Sequence, residues 1–452
     1  MTLDRRRFLK IAGAHAGLLA AGCAAPSAAV RAGTVPRSSA PSVGGASPDV
    51  VVIGAGAFGG WTAYNLVRMG ARVTLVDAFG PGNSRSTSGD ETRGVRSSYG
   101  DRPHGDQWMR WANEAIQRWR AWDEEHGRAQ GMPLFYQTGD LIMRSDWSSY
   151  LTDTKKLWDE QGIPNAVLSS AEVNYRYPVI GLEDIGVALY EPGAGVVRAR
   201  RACESVATVF RALGGRLVIG RVQTSLAANG ELTELRLSTG ETLRADSYVF
   251  AVGPWMWKMF PVLLERRMRT PLGHVYYFGT PPGDERFTHP NLPSFSFPGI
   301  TGWPALGEDN RGFRVRTGGG PHGDPDESQR WIEGERHERP RNFLADRFPL
   351  LENAPILETR ACHYELTVTR NFIIDRHPEM PNVWLAGGGS AEGFKFGPVV
   401  GEYIASRVLG NEGDPELASS FKLSPEQFEE APPPAPVPVP ADTAGTAGVL
   451  GE

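Results

Sequence analysis

The sequence predicts an α/β fold with two interleaved domains, and three observations support this prediction. A strand, a glycine turn, a helix and a second strand open the globular part at residues 48–77. A similar strand, glycine turn and helix close it at residues 382–409. Other helices and strands alternate between these units, without an internal repeat. Because the first and last units are alike, we expect them to share one domain, with a second domain inserted between them.

The opening unit has the features of a dinucleotide site. Residues 50–53 form a short apolar run that suits a buried parallel strand. In the G-x-G-x-x-G pattern that follows, Gly54 suits a tight turn, Gly56 lets a pyrophosphate approach, and Gly59 allows close helix–strand packing. The helix N-terminus then offers N–H groups to the diphosphate, and Asp77 can bond an adenosine ribose. This pattern predicts a dinucleotide but does not distinguish FAD from NAD.

The remaining elements follow from hydrophobic periodicity and from glycine and proline positions. We expect helices at residues 61–69, 105–125, 201–213 and 397–409, and strands at residues 73–76, 134–144, 216–222, 247–252, 274–279, 312–317 and 383–385. The closing glycine turn at residues 387–389 favours a flavin over a nicotinamide. A helix N-terminus placed there can stabilise negative charge on a reduced flavin ring.

Composition excludes several classes of function. The chain has 452 residues, of which 40% are hydrophobic and 22% charged, as expected of a globular protein. Its formal net charge of −5 gives no reason to expect a nucleic-acid partner. The cysteines Cys23, Cys203 and Cys362 are far apart, and their spacing predicts neither a metal site nor a disulfide framework.

The N-terminus predicts export. Residues 5–10, RRRFLK, resemble a twin-arginine signal, and residues 11–22 are too short and too weakly apolar for a spanning helix. We therefore expect a periplasmic protein, with a signal and linker at residues 1–47. Residues 18–23 also resemble a lipoprotein cleavage box, so a lipid anchor at Cys23 and cleavage in the following Ala-rich segment both stay open. Residues 431–452 are rich in Pro and Ala and predict a disordered tail.

Six segments together resemble a known family. They are residues 52–56 with 77–79, 91–100, 176–178, 191–196, 361–364, and 372–375 running on to 393–396. In these segments the chain is similar to FAD-dependent amine oxidoreductases of the D-amino-acid-oxidase superfamily, most closely the monomeric sarcosine oxidases and N-methyl amino acid oxidases. The resemblance implies a Rossmann-type FAD-binding domain interleaved with a mixed-sheet α+β substrate domain. It assigns residues 48–133, 186–265 and 356–430 to the FAD-binding domain, and residues 134–185 and 266–355 to the substrate domain.

The resemblance also implies roles for single residues. Arg96 and Lys395 match a pair that grips the substrate carboxylate, which a guanidinium and an ammonium can do together. Tyr364 matches an active-site tyrosine, and Arg93 an arginine beside the flavin. Cys362 matches a cysteine that holds FAD covalently through the flavin 8α carbon. The expected FAD-binding residues are Gly54, Gly56, Ala57, Gly59, Asp77, Arg93, Val222, Cys362, Gly389, Gly393, Phe394 and Lys395.

The chain departs from the family pattern at several site positions. Arg314 stands where the family has an oxygen-activating lysine, and Glu392 and Gly318 stand where it has histidines. Residues 88–90 read Ser-Gly-Asp in place of Ser-His-Gly. We therefore expect a substrate other than sarcosine, and slow reaction with oxygen because arginine is bulkier than lysine. We also expect Arg314 to pair with Glu392 if the fold brings them close.

The expected function is oxidation of the C–N bond of an amino acid, with a secondary or N-methyl amine passing a hydride to flavin N5. Oxygen or another acceptor would then reoxidise the flavin. Two alternatives stay open. One is an amino acid dehydrogenase that uses a non-oxygen acceptor, and the other is a catalytically degenerate exported flavoprotein that acts as a binding module.

Overall fold

The structure is a computed structural model that describes residues 47–307, 311–318 and 320–429. The predicted export signal, Cys23 and the predicted tail at residues 431–452 lie outside the described residues. Within the described part, the chain forms two large sheets with helices packed around them. None of the described helices combines the length and the apolar character needed to cross a membrane.

The first large sheet is six-stranded and mostly parallel. Its strands, in spatial order, are Ile373–His377, Met380–Gly387, Ser247–Phe250, Asp49–Ile53, Arg72–Asp77 and Arg216–Ile219. All neighbours pair in parallel except the first two, which form an antiparallel pair. Because strands from both ends of the chain share this sheet, the predicted interleaving of the fold is confirmed.

The second large sheet is eight-stranded and mixed. Its strands, in spatial order, are Ile356–His363, Leu272–Phe278, Phe313–Thr317, Ile300–Trp303, Ser294–Phe297, Asp140–Arg144, Val187–Glu191 and Ala166–Leu168. Only Ser294–Phe297 and Asp140–Arg144 pair in parallel. An aromatic and aliphatic cluster that includes Phe295, Phe313 and Phe348 covers one face of this sheet. This arrangement is the mixed sheet that the family resemblance implies.

Smaller pairings complete the sheets. They are Val222–Ala228 with Glu231–Leu237 and Thr242–Leu243, Arg93–Val95 and Phe135–Tyr136 with Gly195–Val197, and Met268–Arg269 with Leu366–Thr367. The α-helices are Ala57–Arg68, Gly105–His126, Ser149–Glu160, Ser170–Arg176, Ala199–Ala212, Met256–Met259, Pro261–Leu264, Glu338–Arg347, Gly397–Val408 and Pro415–Ser420.

The structure differs from the predicted domain boundaries at two strands. Val187–Glu191 and Ile356–His363 were expected in the FAD-binding domain, but both pair within the mixed sheet. Each begins within one residue of a predicted boundary, at residues 186 and 356. The hydrophobic pattern of a strand shows which side chains are buried but not which sheet the strand joins. The predicted strand 134–144 is also two strands, divided at Gly139, which has a φ of +70°.

Two helices from opposite ends of the chain pack closely behind the parallel sheet. Ala57–Arg68 follows the first glycine turn, and Gly397–Val408 follows the last. Their contact depends on Gly401, because a Cβ there would come within 2.6 Å of the Trp61 carbonyl carbon. This packing brings both helix N-termini to the same edge of the sheet, where the strands end.

Candidate active site

A cavity of about 460 Å³ lies between the glycine turns and the mixed sheet. Of the residues predicted for the site, all except Gly59 line this cavity: Gly54, Gly56, Ala57, Asp77, Arg93, Arg96, Val222, Arg314, Cys362, Tyr364, Gly389, Gly393, Phe394 and Lys395. Gly59 is instead packed beneath the first turn, since a Cβ there would lie 1.8 Å from the Gly54 carbonyl oxygen. The structure therefore gathers residues that are up to several hundred positions apart in sequence.

The dinucleotide end of the cavity is built from the first glycine turn. Gly54 has a φ of +102°, and a Cβ there would meet the Ala251 carbonyl oxygen at 2.2 Å. Gly56 lines the cavity, and a Cβ there would lie 3.2 Å from the Ser88 hydroxyl oxygen, a close contact that glycine avoids. The N-cap residue Gly56 has no side chain to cap the helix that starts at Ala57, and the Ala57 N–H donates to the Ser88 hydroxyl at 3.0 Å. The other N–H groups at the start of this helix and the helix dipole suit a diphosphate, so this turn fits FAD.

Asp77 is held in place by backbone donors at the same end. Its Oδ2 accepts from the Ala55 N–H at 2.8 Å, and its Oδ1 accepts from the Phe79 and Gly80 N–H groups at 2.9 Å. Burial raises the pKa of Asp77, while these three donors act in the opposite direction. A carboxylate oriented in this way at the end of the second strand can still accept from a ribose hydroxyl.

Cys362 and Arg93 lie together at the next part of the cavity. The Arg93 Nη2 lies 3.4 Å from the Cys362 Sγ and donates to the Thr87 carbonyl at 2.6 Å. Arg93 also forms an ion pair with the buried Asp90. Cys362 itself lines the cavity, so its sulfur is open to the space that a cofactor would fill. The position of Cys362 therefore suits a bond to a cofactor.

Lys395 and Arg96 lie at the far end of the cavity. Lys395 Nζ donates to the Tyr99 hydroxyl at 2.6 Å, and burial lowers the pKa of this lysine to about 7. Arg96 Nε lies 3.9 Å from Asp140 Oδ2, an oxygen with no hydrogen-bond partner among the described residues. Arg96 and Lys395 both line the cavity, and the Glu392 carboxylate beside them pairs with Arg102. A guanidinium and an ammonium placed in this way suit a carboxylate ligand.

The expected pairing of Arg314 with Glu392 is wrong. Arg314 Nη2 instead lies 3.3 Å from Asp90 Oδ2, and its guanidinium carbon lies 3.8 Å from the Trp303 ring centre. Glu392 pairs with Arg102 at 2.7 Å. The physical reason is placement: Arg314 is on a central strand of the mixed sheet, whereas Glu392 precedes the turn that leads into the helix Gly397–Val408.

The structure also places residues at the site that the sequence interpretation did not assign. Glu365 lines the cavity and accepts from the Gly389 N–H at 2.8 Å, and burial raises its pKa. Arg316 lines the cavity two residues after Arg314. The alternation of residues along this strand is a sequence signal that could have identified Arg316. No comparable signal marks Tyr99 or Glu365. Among the described residues no three His, Cys, Asp or Glu side chains are grouped as metal ligands.

Comparison with known proteins agrees with this geometry. A family model described as FAD dependent oxidoreductase matches residues 49–407. The chain is 28% identical over 394 residues to human peroxisomal sarcosine oxidase, which covers 85% of this chain and 96% of the relative. It is 26% identical to the monomeric sarcosine oxidase of Bacillus sp. (strain B-0618), over 85% of this chain and 97% of the relative.

Solved structures show the same fold. L-proline dehydrogenase from P. horikoshii superposes with a TM-score of 0.71 at 22% identity, over 83% of this chain and 96% of the other. The fold, the dinucleotide turn and the extent of the family match lead to one conclusion. The chain belongs to the family of FAD-dependent oxidoreductases of the D-amino-acid-oxidase type, and is homologous to the sarcosine oxidases.

Proposed function

We propose that this protein oxidises the C–N bond of an amino acid, with a secondary or N-methyl amine as the preferred group. The observation that carries the proposal is the placement of Arg96 and Lys395 on the wall of the cavity that also contains the dinucleotide turn. The relatives support it, because sarcosine is itself an N-methyl amino acid. The substrate carboxylate would bind the two cations and leave the amine beside the cofactor.

The chain's own residues position the substrate. FAD, when bound, accepts the hydride that leaves the carbon next to the amine. Arg96 and Lys395 hold the carboxylate, which sets the distance and orientation of that carbon. The turn Gly393–Phe396, which leads into the helix Gly397–Val408, lines the cavity at Gly393, Phe394 and Lys395. The Tyr99 hydroxyl accepts from Lys395 and orients its ammonium group.

We further propose that FAD is attached through Cys362. Its Sγ is the sulfur beside Arg93 at the cavity wall. Thioether formation would remove one proton from the thiol, one from the 8α methyl group, and two electrons that the electron acceptor would take up. Arg93 Nη2, at 3.4 Å from Sγ, would hold the sulfur in position for this reaction.

A dehydrogenase that uses an acceptor other than oxygen is the second candidate. It is favoured by the ion pair between Arg314 and the buried Asp90, because this pair holds the guanidinium against Asp90 and restricts where its charge can lie. Arg314 also lies over the Trp303 ring, which limits its movement toward a small oxygen site. Both candidates share the same first half-reaction.

Anaerobic titration tests the shared half-reaction. Purified protein is mixed with matched pairs of amino acids and simple amines, and the flavin absorbance is followed. We expect N-methyl amino acids to bleach the flavin and the matched amines to do so far less. If no amino acid bleaches the flavin, the enzymatic proposal fails and a binding module remains.

We propose that the protein acts in the periplasm after twin-arginine export. The support is the RRRFLK motif at residues 5–10, which lies outside the described residues. This export route carries folded proteins, which suits an enzyme that binds its cofactor before export. Whether Cys23 carries a lipid is tested by the mass of the mature N-terminal peptide.

A further inference from the structure

Arg316 lies on a strand that turns two arginines toward the cavity. In Phe313–Thr317, side chains alternate between the faces of the mixed sheet, so Arg314 and Arg316 share one face. Both line the cavity, whereas Phe313 and Val315 lie in the hydrophobic core on the other face. The cross-strand neighbours of Arg316, Val275 and Thr301, also line the cavity. Arg316 is therefore part of the cavity wall and not of the core.

Unlike three other cationic side chains of the cavity wall, the Arg316 guanidinium has no anionic partner among the described residues. Arg93 and Arg314 both pair with Asp90, and Lys258 pairs with Asp324. Within the described ranges, no carboxylate lies at ion-pairing distance from the Arg316 guanidinium. The Arg316 guanidinium carbon instead lies 5.6 Å from the centre of the Tyr364 ring.

The backbone opposite Arg316 makes room for this guanidinium. Gly273 pairs with Cys362 in the neighbouring ladder, and a Cβ at Gly273 would come within 3.3 Å of Arg316 Nη2. The guanidinium therefore lies over Gly273, next to Cys362 and Tyr364. A half-buried cation held here without a counter-ion is costly, and an anion that binds in the cavity would offset that cost.

The diphosphate of FAD is not the anion that would bind Arg316. The diphosphate fits the turn at residues 54–57, on the parallel sheet. Arg316 belongs to the mixed sheet, which forms the opposite wall. Arg316 lies on the strand Phe313–Thr317 of the mixed sheet, whereas Lys395 lies in the turn Gly393–Phe396 that leads into the helix Gly397–Val408. Both side chains line the cavity, which thus has two separate cationic positions.

We propose that the substrate is a dicarboxylic amino acid whose side-chain carboxylate binds Arg316 while its α-carboxylate binds Arg96 and Lys395. That the dicarboxylate is an amino acid substrate rests on the proposed function. That the cavity binds a dicarboxylate does not depend on it. A guanidinium can bind a carboxylate through two parallel hydrogen bonds, which suits recognition of this group.

A redox-inert pair of ligands tests the site without turnover. Glutarate and its monoamide differ by one negative charge and have nearly the same shape. Each is titrated into the yellow holoprotein, and the dissociation constant is read from the shift of the flavin spectrum. We expect glutarate to bind about tenfold to a hundredfold more tightly than its monoamide, as one charged hydrogen-bonded contact implies.

Variants assign that preference to Arg316. Arg316→Gln removes the preference for glutarate, and Arg316→Lys retains a part of it because the charge remains. The matched control is Arg311→Gln, since Arg311 is exposed and pairs with Glu358 at 3.0 Å. An unchanged preference in Arg316→Gln overturns the proposal. If that variant does not fold, equal binding of glutarate and its monoamide by the wild type overturns it equally.

Measurements of substrate turnover distinguish a failure of this inference from a failure of the proposed function. The ratio of kcat/KM for N-methylglutamate over N-methylglutamine is expected to fall about tenfold or more in Arg316→Gln. If both substrates bleach the wild-type flavin equally well, the inference fails while the proposed function stands. If neither bleaches it but glutarate is preferred, the proposed function fails and the dicarboxylate site stands.

Discussion

At the scale of single residues, the two described cysteines show how surroundings decide the reactivity of a thiol. Cys203 lies in the helix Ala199–Ala212, and burial raises the pKa of its thiol to about 12. Cys362 lies on the cavity wall, with Arg93 Nη2 at 3.4 Å from Sγ. Cys362 thus has a charged neighbour and faces the cavity, whereas Cys203 is packed on the buried face of its helix.

A first prediction follows from this contrast. Acid precipitation of the wild type should leave the yellow colour in the pellet, because a thioether survives denaturation. Cys362→Ala should release the flavin into the supernatant, whereas the control Cys203→Ala should not. The absorbance of both fractions measures the outcome, and free flavin from the wild type would contradict covalent attachment.

Lys395 gives a second prediction, on pH. Burial lowers the pKa of Lys395 to about 7, so its ammonium is present below that pH and is lost above it. Affinity for a redox-inert monocarboxylate such as propionate should therefore fall as pH rises through 7, by up to about tenfold per pH unit. The dissociation constant is measured from flavin spectra between pH 6 and pH 9, values that span roughly one to two units about that pKa.

Substitution of the lysine separates its charge from other effects. Lys395→Met should weaken propionate binding at pH 6 about tenfold to a hundredfold and abolish the dependence near pH 7. Lys155→Met is the control, because Lys155 lies on the helix Ser149–Glu160 and pairs with Asp159. A pH profile that is the same in Lys395→Met and the wild type would rule out this assignment.

At the scale of elements, the first glycine turn joins a strand to a helix with little free space. A Cβ at Gly59 would lie 1.8 Å from the Gly54 carbonyl oxygen, and neither backbone segment can move without disturbing the sheet. At Gly60, one residue further along the same helix, a Cβ would have an ordinary contact of 3.7 Å with Val206. The two adjacent glycines therefore have different physical roles.

This difference gives a third prediction. Gly59→Ala should lower the free energy of unfolding by about 1–3 kcal/mol or more through overpacking, and should reduce the bound flavin. Gly60→Ala should leave stability unchanged or raise it by up to about 1 kcal/mol, because alanine favours helix. Chemical denaturation of both variants, with flavin content per chain, measures the effect. Equal losses in the two variants would contradict the close contact at Gly59.

The strand Phe313–Thr317 gives a fourth prediction, on oxygen. Arg314 is bound to Asp90 and lies over Trp303, so it has little freedom to stabilise charge on oxygen. Reoxidation of the reduced flavin by oxygen should therefore be slow, and Arg314→Lys should accelerate it. Stopped-flow mixing of anaerobically reduced protein with oxygenated buffer measures both rates. Fast reoxidation of the wild type, with no gain from lysine, would favour the plain oxidase.

At the scale of the whole molecule, segments from the two ends of the globular part pack together beside the cavity. The helix Ala57–Arg68 from the first part of the chain packs on Gly397–Val408 from the last. Cavity residues therefore come from both ends, so the cavity can form only when the whole globular part has folded. A protein assembled in this way suits export in the folded state, with its cofactor in place.

Export gives a fifth prediction. Replacing Arg5 and Arg6 with lysine should keep the protein in the cytoplasmic fraction, because twin-arginine export depends on that pair. Immunoblots of fractionated cells measure the distribution. Arg201→Lys is the control, since Arg201 lies in the helix Ala199–Ala212, far along the chain from the proposed signal. Periplasmic protein in the double variant would exclude this route.

The sequence by itself determined the local units of this protein. The strand, turn, helix and acidic residue between Asp49 and Asp77 are contained in one short segment, so spacing alone identifies the dinucleotide turn. The matched motifs likewise predicted the family and the residues that line the cavity, including Cys362 and Lys395. These features depend on backbone geometry and periodicity, which nearby residues decide.

Only the tertiary structure decided which charges meet. Arg314 and its partner Asp90 are 224 residues apart, Arg102 and Glu392 are 290 apart, and Lys395 and Tyr99 are 296 apart. The sheet membership of Val187–Glu191 and Ile356–His363 was decided in the same way. The physical reason is that an ion pair or a strand pairing depends on distance in space, and no periodicity along the chain records it.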